Sequence, residues 1–153
     1  MSTRTASDRD PLPLAATHHV RDTCLCLHLQ RAARALARRF DEALRPLDLT
    51  NGQFSLLMSL NRPDAPSIGS VAALLAMDRT TLTANLKPLE RRGLIKVMVD
   101  QEDKRGRRLT LTPAGRKLLI EAFPIWQKAH AAAEGRLPRP NADKLRADLQ
   151  ALS

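Results

Sequence analysis

The stretch from Asp78 to Gly115, DRTTLTANLKPLERRGLIKVMVDQEDKRGRRLTLTPAG, constrains the fold of this chain more than any other part. Asp78 stands where an N-cap belongs, with a carboxylate placed to accept the free N–H of Thr80 or Thr81. A short helix follows, with Leu82, Leu86 and Leu89 on one face, and Gly93 falls at the C′ position that stops it. Pro88 lies late in this helix and removes the bond back to Ala84, so a slight kink is expected there. Leu94–Val99 and Arg107–Leu111 are β-prone and are joined by DQEDKRG, a hairpin with a charged tip. Thr112 and Pro113 then occupy the N-cap and N1 places of a new helix. Helix, ribbon and helix start succeed one another with no long loop between them.

Charge gathers in the same stretch. Between Arg79 and Arg108 lie nine basic and four acidic residues, a net +5 of the whole chain's +9. Such a localised excess points to a polyanionic partner. The chain has 153 residues, enough for one ordinary domain and too few for two comfortable ones. It is 43% hydrophobic but only 3% aromatic, so Leu and Ala must build the core, which favours helices. No apolar run approaches membrane-spanning length, and MSTRTASDRDPLPLAAT lacks the hydrophobic stretch of a signal peptide, so no membrane partner is expected. The only cysteines are Cys24 and Cys26, which makes a disulfide framework implausible and a cytoplasmic location the default.

Along the chain, residues 1–16 mix Ser, Thr, Pro and both charges and are expected to form a mobile arm. From about Thr17 to Arg45 the pattern is helical. Leu25, Leu29, Ala32, Leu36, Phe40, Leu44 and Leu47 form one apolar stripe on this helix of roughly eight turns, which Pro46 ends. A helix so long for so small a protein needs a further surface to cover its far end. Thr50 and Gln53 have capping-box spacing ahead of a short buried helix. Ile68 is expected to supply a minimal strand, with Gly69 or Ser70 opening another small helix. The helix begun at Pro113 runs to about Glu134, with a bend at Pro124 open. Leu137–Pro140 reads as a linker, and Asn141 caps a last helix bearing Leu145, Leu149 and Leu152. The expected order is α-α-α-α-β-β-α-α, mainly α with a small β-hairpin wing.

Two short helices, a tight turn and a hairpin make a winged helix-turn-helix, whose second helix offers its first residues to base edges of double-stranded DNA. Here those are Arg79, Thr80, Thr81 and Thr83, followed by Asn85 and Lys87. Arg reads guanine, Asn reads adenine, and Thr meets a thymine methyl or a phosphate. Hydroxyls at a helix start also serve the backbone, which is the competing role for Thr80 and Thr81. The residues LTNGQFSLL, RTTLTANLKPLERRGLI and DKRGRRLTLTPAG, within a stretch from about Cys24 to Ala133, resemble the MarR family of transcriptional regulators. The resemblance implies that Asp103 braces the wing and that Arg105 enters the minor groove. Lys104, Arg107 and Arg108 are then expected to contact phosphates. It also implies an intertwined homodimer reading a pseudo-palindrome with half-sites roughly 34 Å apart. The implied division is 17–48 with 113–153 for dimerisation and 49–112 for the DNA-binding lobe. Winged-helix protein–protein assembly and unregulated architectural DNA binding are the alternatives.

The switching signal is less legible. Some peroxide-sensing members of the family carry a reactive cysteine early in the first helix, near tyrosines; Cys24 and Cys26 match the place, but this chain has no Tyr. Two residues apart on one helix, the two would sit about 200° apart and not bond to each other. Simple burial is the competing reading of both. Cys24 and His28 share a helical face, too sparse a pair for a metal site, so neither metal nor cofactor is expected. The family often takes a small aromatic or lipophilic effector between the DNA lobe and the dimerisation helices, with Leu27, His28, Phe54 and Trp126 as candidate lining. Core packing is the competing role for the last two. No nucleophile–base pair, carboxylate dyad or glycine-rich phosphate loop suggests an enzyme.

Overall fold

The computed structural model describes residues 12–138 and 141–153. The order is α1 (Leu14–Thr23), α2 (Leu25–Leu44), a 3-10 turn (Arg45–Leu47), α3 (Asn51–Ser59), α4 (Ile68–Leu74), α5 (Arg79–Arg91), β1 (Ile95–Val99), β2 (Arg107–Leu111), α6 (Pro113–Glu134) and α7 (Ala142–Gln150). The chain separates into two compact units, Met1–Ala35 and Leu36–Ser153. The division falls inside α2. Most of the anticipated N-terminal arm lies outside the described residues, although α1 already begins at Leu14. Arg139 and Pro140, half of the anticipated linker, also lie outside them.

In the first unit the single helix expected from Thr17 to Arg45 is corrected to two. Cys24 adopts extended backbone, ψ 108°, between α1 and α2. Thr23 turns its hydroxyl back to His19 O at 2.7 Å, and Cys24 N closes the last turn on Val20 O at 3.0 Å. The apolar stripe begins only at Leu25, after the break, so it carries no sign of where the preceding helix stops. No residue of α1 is buried, and Leu12, Leu14, Val20 and Leu25 are exposed.

The second unit holds the core. Leu44, Leu56, Leu57, Leu82, Leu89, Ile95 and Leu109 are fully buried, drawn from α2, α3, α5 and both strands. Full burial of one such side chain contributes about 1.5–3 kcal/mol. α3 starts with the anticipated capping box: Gln53 N donates to Thr50 Oγ1 at 3.2 Å and Thr50 N to Gln53 Oε1 at 3.1 Å. α4 starts one residue earlier than expected. Ser67, not Ile68, makes the minimal strand by bridging to Arg108, and it also caps α4 by accepting from Ser70 N at 3.1 Å. Ile68 is the first helical residue. The turn from α4 to α5 passes through Ala76 at φ 51°, a left-handed conformation that aligns the next helix.

The antiparallel hairpin pairs Ile95 with Leu111, Val97 with Leu109 and Val99 with Arg107. Its entry is set by Gly93 at φ 69°. Gly93 N donates to Glu90 O at 2.9 Å and Leu94 N to Leu89 O at 3.0 Å, the two bonds of a Schellman ending. Thr112 closes the ribbon. Its hydroxyl donates to Gly93 O at 2.6 Å and accepts from Gly115 N at 3.0 Å, while its N–H donates to Leu94 O at 3.1 Å. α5, the ribbon and α6 therefore meet at one corner. At the far end of the chain α7 buries no residue, and Leu145, Leu149 and Leu152 are exposed.

Candidate nucleic-acid interface

The reader helix is positioned from both ends. At its start Asp78 Oδ1 accepts from Thr81 N at 2.8 Å and Oδ2 from the Thr81 hydroxyl at 2.7 Å. The Thr81 hydroxyl and N–H hold the Asp78 carboxyl below its ordinary range. A depressed carboxylate contributes stability above its unfolded pKa and loses it as pH falls through the folded value. Asp78→Ala is therefore expected to destabilise the protein near neutral pH, through loss of the cap. It should also flatten the loss of stability on acidification, and a series of urea melts across pH checks both. At the other end Arg92, which the sequence did not single out, donates Nη1 to Asp48 O at 2.6 Å and Nη2 to Leu47 O at 3.4 Å. It ties the end of α5 to the connector after α2.

Leu82, Leu86 and Leu89 face the core, leaving Arg79, Thr80, Thr81, Thr83, Asn85 and Lys87 exposed. Arg79, Thr80, Thr83, Ala84 and Lys87 line one open concavity of about 340 Å³. The backbone role expected of Thr80 and Thr81 falls instead to Thr83, whose hydroxyl donates to Arg79 O at 2.7 Å. The Thr81 hydroxyl serves the Asp78 carboxylate, and that of Thr80 has no intramolecular hydrogen bond among the described residues. Asn85 makes only a long contact, Nδ2 to Met77 Sδ at 3.8 Å.

The wing tip is a closed turn. Asp103 Oδ1 accepts from Arg105 N at 3.0 Å and Asp103 O from Gly106 N at 2.8 Å, and Asp100 N donates to Gly106 O at 3.1 Å. The side chains of Lys104 and Arg105 are exposed, with no hydrogen bond or ion pair among the described residues. Arg107 folds its guanidinium over the turn, Nη1 to Gly106 O at 3.0 Å. Arg108 departs from its expected place in a free phosphate-facing set. It is half-buried, with Nε donating to Asp100 Oδ2 at 2.7 Å and Nη1 to Ala65 O at 3.2 Å. Neither partner is visible as such in the sequence, since one is a backbone carbonyl 43 positions away.

Of the residues expected around an effector, Leu27 and His28 belong to the first unit and Phe54 and Trp126 to the second. Phe54 and Trp126 stack with centroids 5.9 Å apart, and Trp126 also stacks on Phe123 at 6.0 Å and on His130 at 4.7 Å. Beside this ladder an open cleft of about 400 Å³ is lined by Phe54, Met58, Leu74, Leu75, Phe123 and Trp126, with Ser55 and Ser59. Phe123, Trp126 and His130 recur at three and four residues along α6, a helical spacing that would have pointed to the ladder. His28 Nδ1 lies 2.8 Å from Cys24 O, and no cluster of three metal-ligating side chains occurs among the described residues.

The cysteine expectations also change. Because Cys24 stands in the break between helices, the 200° separation expected on one helix does not apply. Simple burial does not hold either, since Cys24 is half-buried and Cys26 exposed. Cys24 Sγ lies 3.5 Å from Leu27 N, and Cys26 Sγ 3.2 Å from Gln30 Nε2. Among the described residues no helix is long and apolar enough to cross a membrane.

A profile of the MarR family matches residues 49–106, from the start of the helix-turn-helix to the wing tip. The chain is 31% identical over 91 residues to the HTH-type transcriptional regulator SarZ of Staphylococcus haemolyticus, a match spanning 60% of this chain and 62% of that protein. The fold is similar to the M. tuberculosis transcriptional regulator MosR in complex with DNA, with 37% identity and a TM-score of 0.77 over 84% of this chain and 92% of that one. It is also similar to the transcriptional repressor CouR bound to a 23-mer DNA duplex, at 29% identity and a TM-score of 0.76 over 87% and 94% of the two chains.

Proposed function

The chain belongs to the MarR family, and from that footing we propose that it is a sequence-specific DNA-binding transcriptional regulator. It acts as a repressor, as a homodimer on a pseudo-palindromic operator. One observation carries the reading: the exposed start of α5 and the wing-tip Lys104 and Arg105, whose side chains have no partner among the described residues, occur in the segment that holds most of the net positive charge. A short helix enters a major groove, and an arginine on a ribbon tip reaches a minor groove. The similar MosR and CouR structures hold DNA, and CouR is described as a repressor. For the homodimer, the support is apolar surface at both ends of the chain. α1 and α7 bury nothing, yet Leu14, Val20, Leu145 and Leu149 stand exposed there. Residues 17–48 and 113–153 form the dimerisation part of this reading and residues 49–112 the DNA-binding lobe.

Release is assigned to a small aromatic or lipophilic effector at the cleft beside the Phe54–Trp126 stack, where an apolar wall carries two hydroxyls. An oxidant acting at Cys24 or Cys26 is the second reading, favoured by the exposure of Cys26 and the incomplete burial of Cys24. Selection of bound duplexes from a random pool tests the proposal. The expected outcome is an inverted repeat with half-sites roughly 34 Å apart. Affinity for it should fall steeply with salt. Repeating the selection with a hydroperoxide and with phenolic compounds separates the two signals. Recovery of no enriched sequence would leave protein–protein assembly or unregulated architectural binding as the better reading.

A further inference from the structure

Arg108 sits in the basic cluster, and its place there would assign it to the phosphate backbone. We infer instead that Asp100 and Arg108 are a positioning pair that sets the stance of the wing tip, an inference that rests on the DNA-binding reading above. Arg108 Nε donates to Asp100 Oδ2 at 2.7 Å, and its Nη1 donates to Ala65 O at 3.2 Å. Asp100 Oδ1 accepts from Glu102 N at 3.0 Å. One carboxylate thus joins the first residues of the tip to β2, and one guanidinium joins both to the α3–α4 connector. The backbone repeats the stitch, with Leu109 N donating to Pro66 O at 2.9 Å and Ser67 bridging to Arg108. Beyond this root the tip is held only by its own turn, so its direction depends on the root.

The pair is not an ordinary surface ion pair. The Asp100 side chain is only 11% exposed and that of Arg108 38%. Exposed pairs contribute little, but removing one partner of a shielded pair leaves the other polar group without its bonds. The consequence for binding has an unusual sign. Asp100 is a negative charge on the surface proposed to face a polyanion, so electrostatics alone says that neutralising it tightens binding. A positioning role says that neutralising it weakens binding, because Arg105 is no longer held at the groove.

The test is a titration of the selected operator by wild type, Asp100→Asn, Arg108→Met, Arg108→Lys and the double variant Asp100→Asn/Arg108→Met. Salt series and hydroxyl-radical footprints accompany it. Expected losses are roughly tenfold for each single variant and about the same for the double, since one charge-assisted unit is being removed. Footprint protection should fade in the minor groove flanking each half-site and persist under α5. The slope of log affinity against log salt should fall for Asp100→Asn as it does for Arg108→Met, since both release the same wing tip although the first removes no positive charge. Loss of a phosphate contact lowers that slope by about 0.9, and Lys replaces Arg at such a contact. Arg108→Lys with wild-type affinity, or Asp100→Asn binding as well as or better than wild type, overturns the inference. Persisting protection under α5 shows that each variant is folded. A wild type that binds no duplex overturns the DNA-binding reading, and this inference with it; normal wild-type binding with an unaffected Asp100→Asn overturns the inference alone.

Discussion

Replacing Arg105 by alanine is expected to weaken operator binding roughly ten- to a hundredfold while leaving the fold intact. The two halves of that expectation come from the same geometry. The Arg105 backbone is held by Asp103, whose Oδ1 takes its N–H at 3.0 Å, and by the Gly106 bond to Asp103 O. Its side chain has no intramolecular partner among the described residues and is exposed. Truncation therefore removes nothing that holds the wing, and stability should stay within about 0.5 kcal/mol of wild type. What is lost is an arginine at the tip of a ribbon, the place from which a narrow minor groove is reached. Preference for A·T-rich flanks should fall along with affinity, whereas preference within the half-site, the reading proposed for Arg79 and Asn85, should persist. Anisotropy titrations against operators with altered flanks, paired with urea melts, check each part. Wild-type affinity in a folded Arg105→Ala protein would remove the wing from the reading.

Local chemistry is what the sequence exposed. The caps at Thr50, Asp78, Thr112 and Asn141 each satisfy a backbone N–H three residues on, so donor and acceptor lie side by side in the text of the chain. Gly93 was legible for the same reason, since only a residue tolerant of positive φ ends a helix in that way. The break at Cys24 was not, because no Gly or Pro marks it. For Arg108 charge alone was visible, while its partners, Asp100 and a carbonyl across the fold, were not. The effector residues fared between these cases. Phe54 and Trp126 do meet, but they were chosen from their aromatic character, and nothing local relates either of them to Leu27 or His28. Where function depends on contacts across the chain, residue type gives the chemistry and the fold decides which residue carries it.

Gly115 is the position where a single added carbon should do most damage. A Cβ built there lies 2.0 Å from Leu94 O and 3.0 Å from Leu94 C, with Leu111 Cδ2 at 3.3 Å. The nearest atoms are backbone, so no rotamer change relieves the overlap. The carbonyl of Leu94 is also fixed, since it accepts the Thr112 N–H at 3.1 Å beside the Thr112 hydroxyl bond to Gly93 O. To admit a methyl group, α6 must move away from the α5–β1 corner and strain both bonds. Gly115→Ala is therefore expected to destabilise the protein by about 3 kcal/mol, at or above the upper end of the usual overpacking range. Helix propensity works the other way and returns about 1 kcal/mol at most. Gly115→Val, with a larger group and a stiff χ1, should not fold. A urea titration reads the first as a lower midpoint at unchanged slope. Near-wild-type stability of Gly115→Ala would mean that the corner yields, and that Gly115 is not the reason α6 and the ribbon approach so closely. If the corner does hold, α6 and the wing move as one body, so the effector proposed beside Trp126 would act on the ribbon through α6 directly.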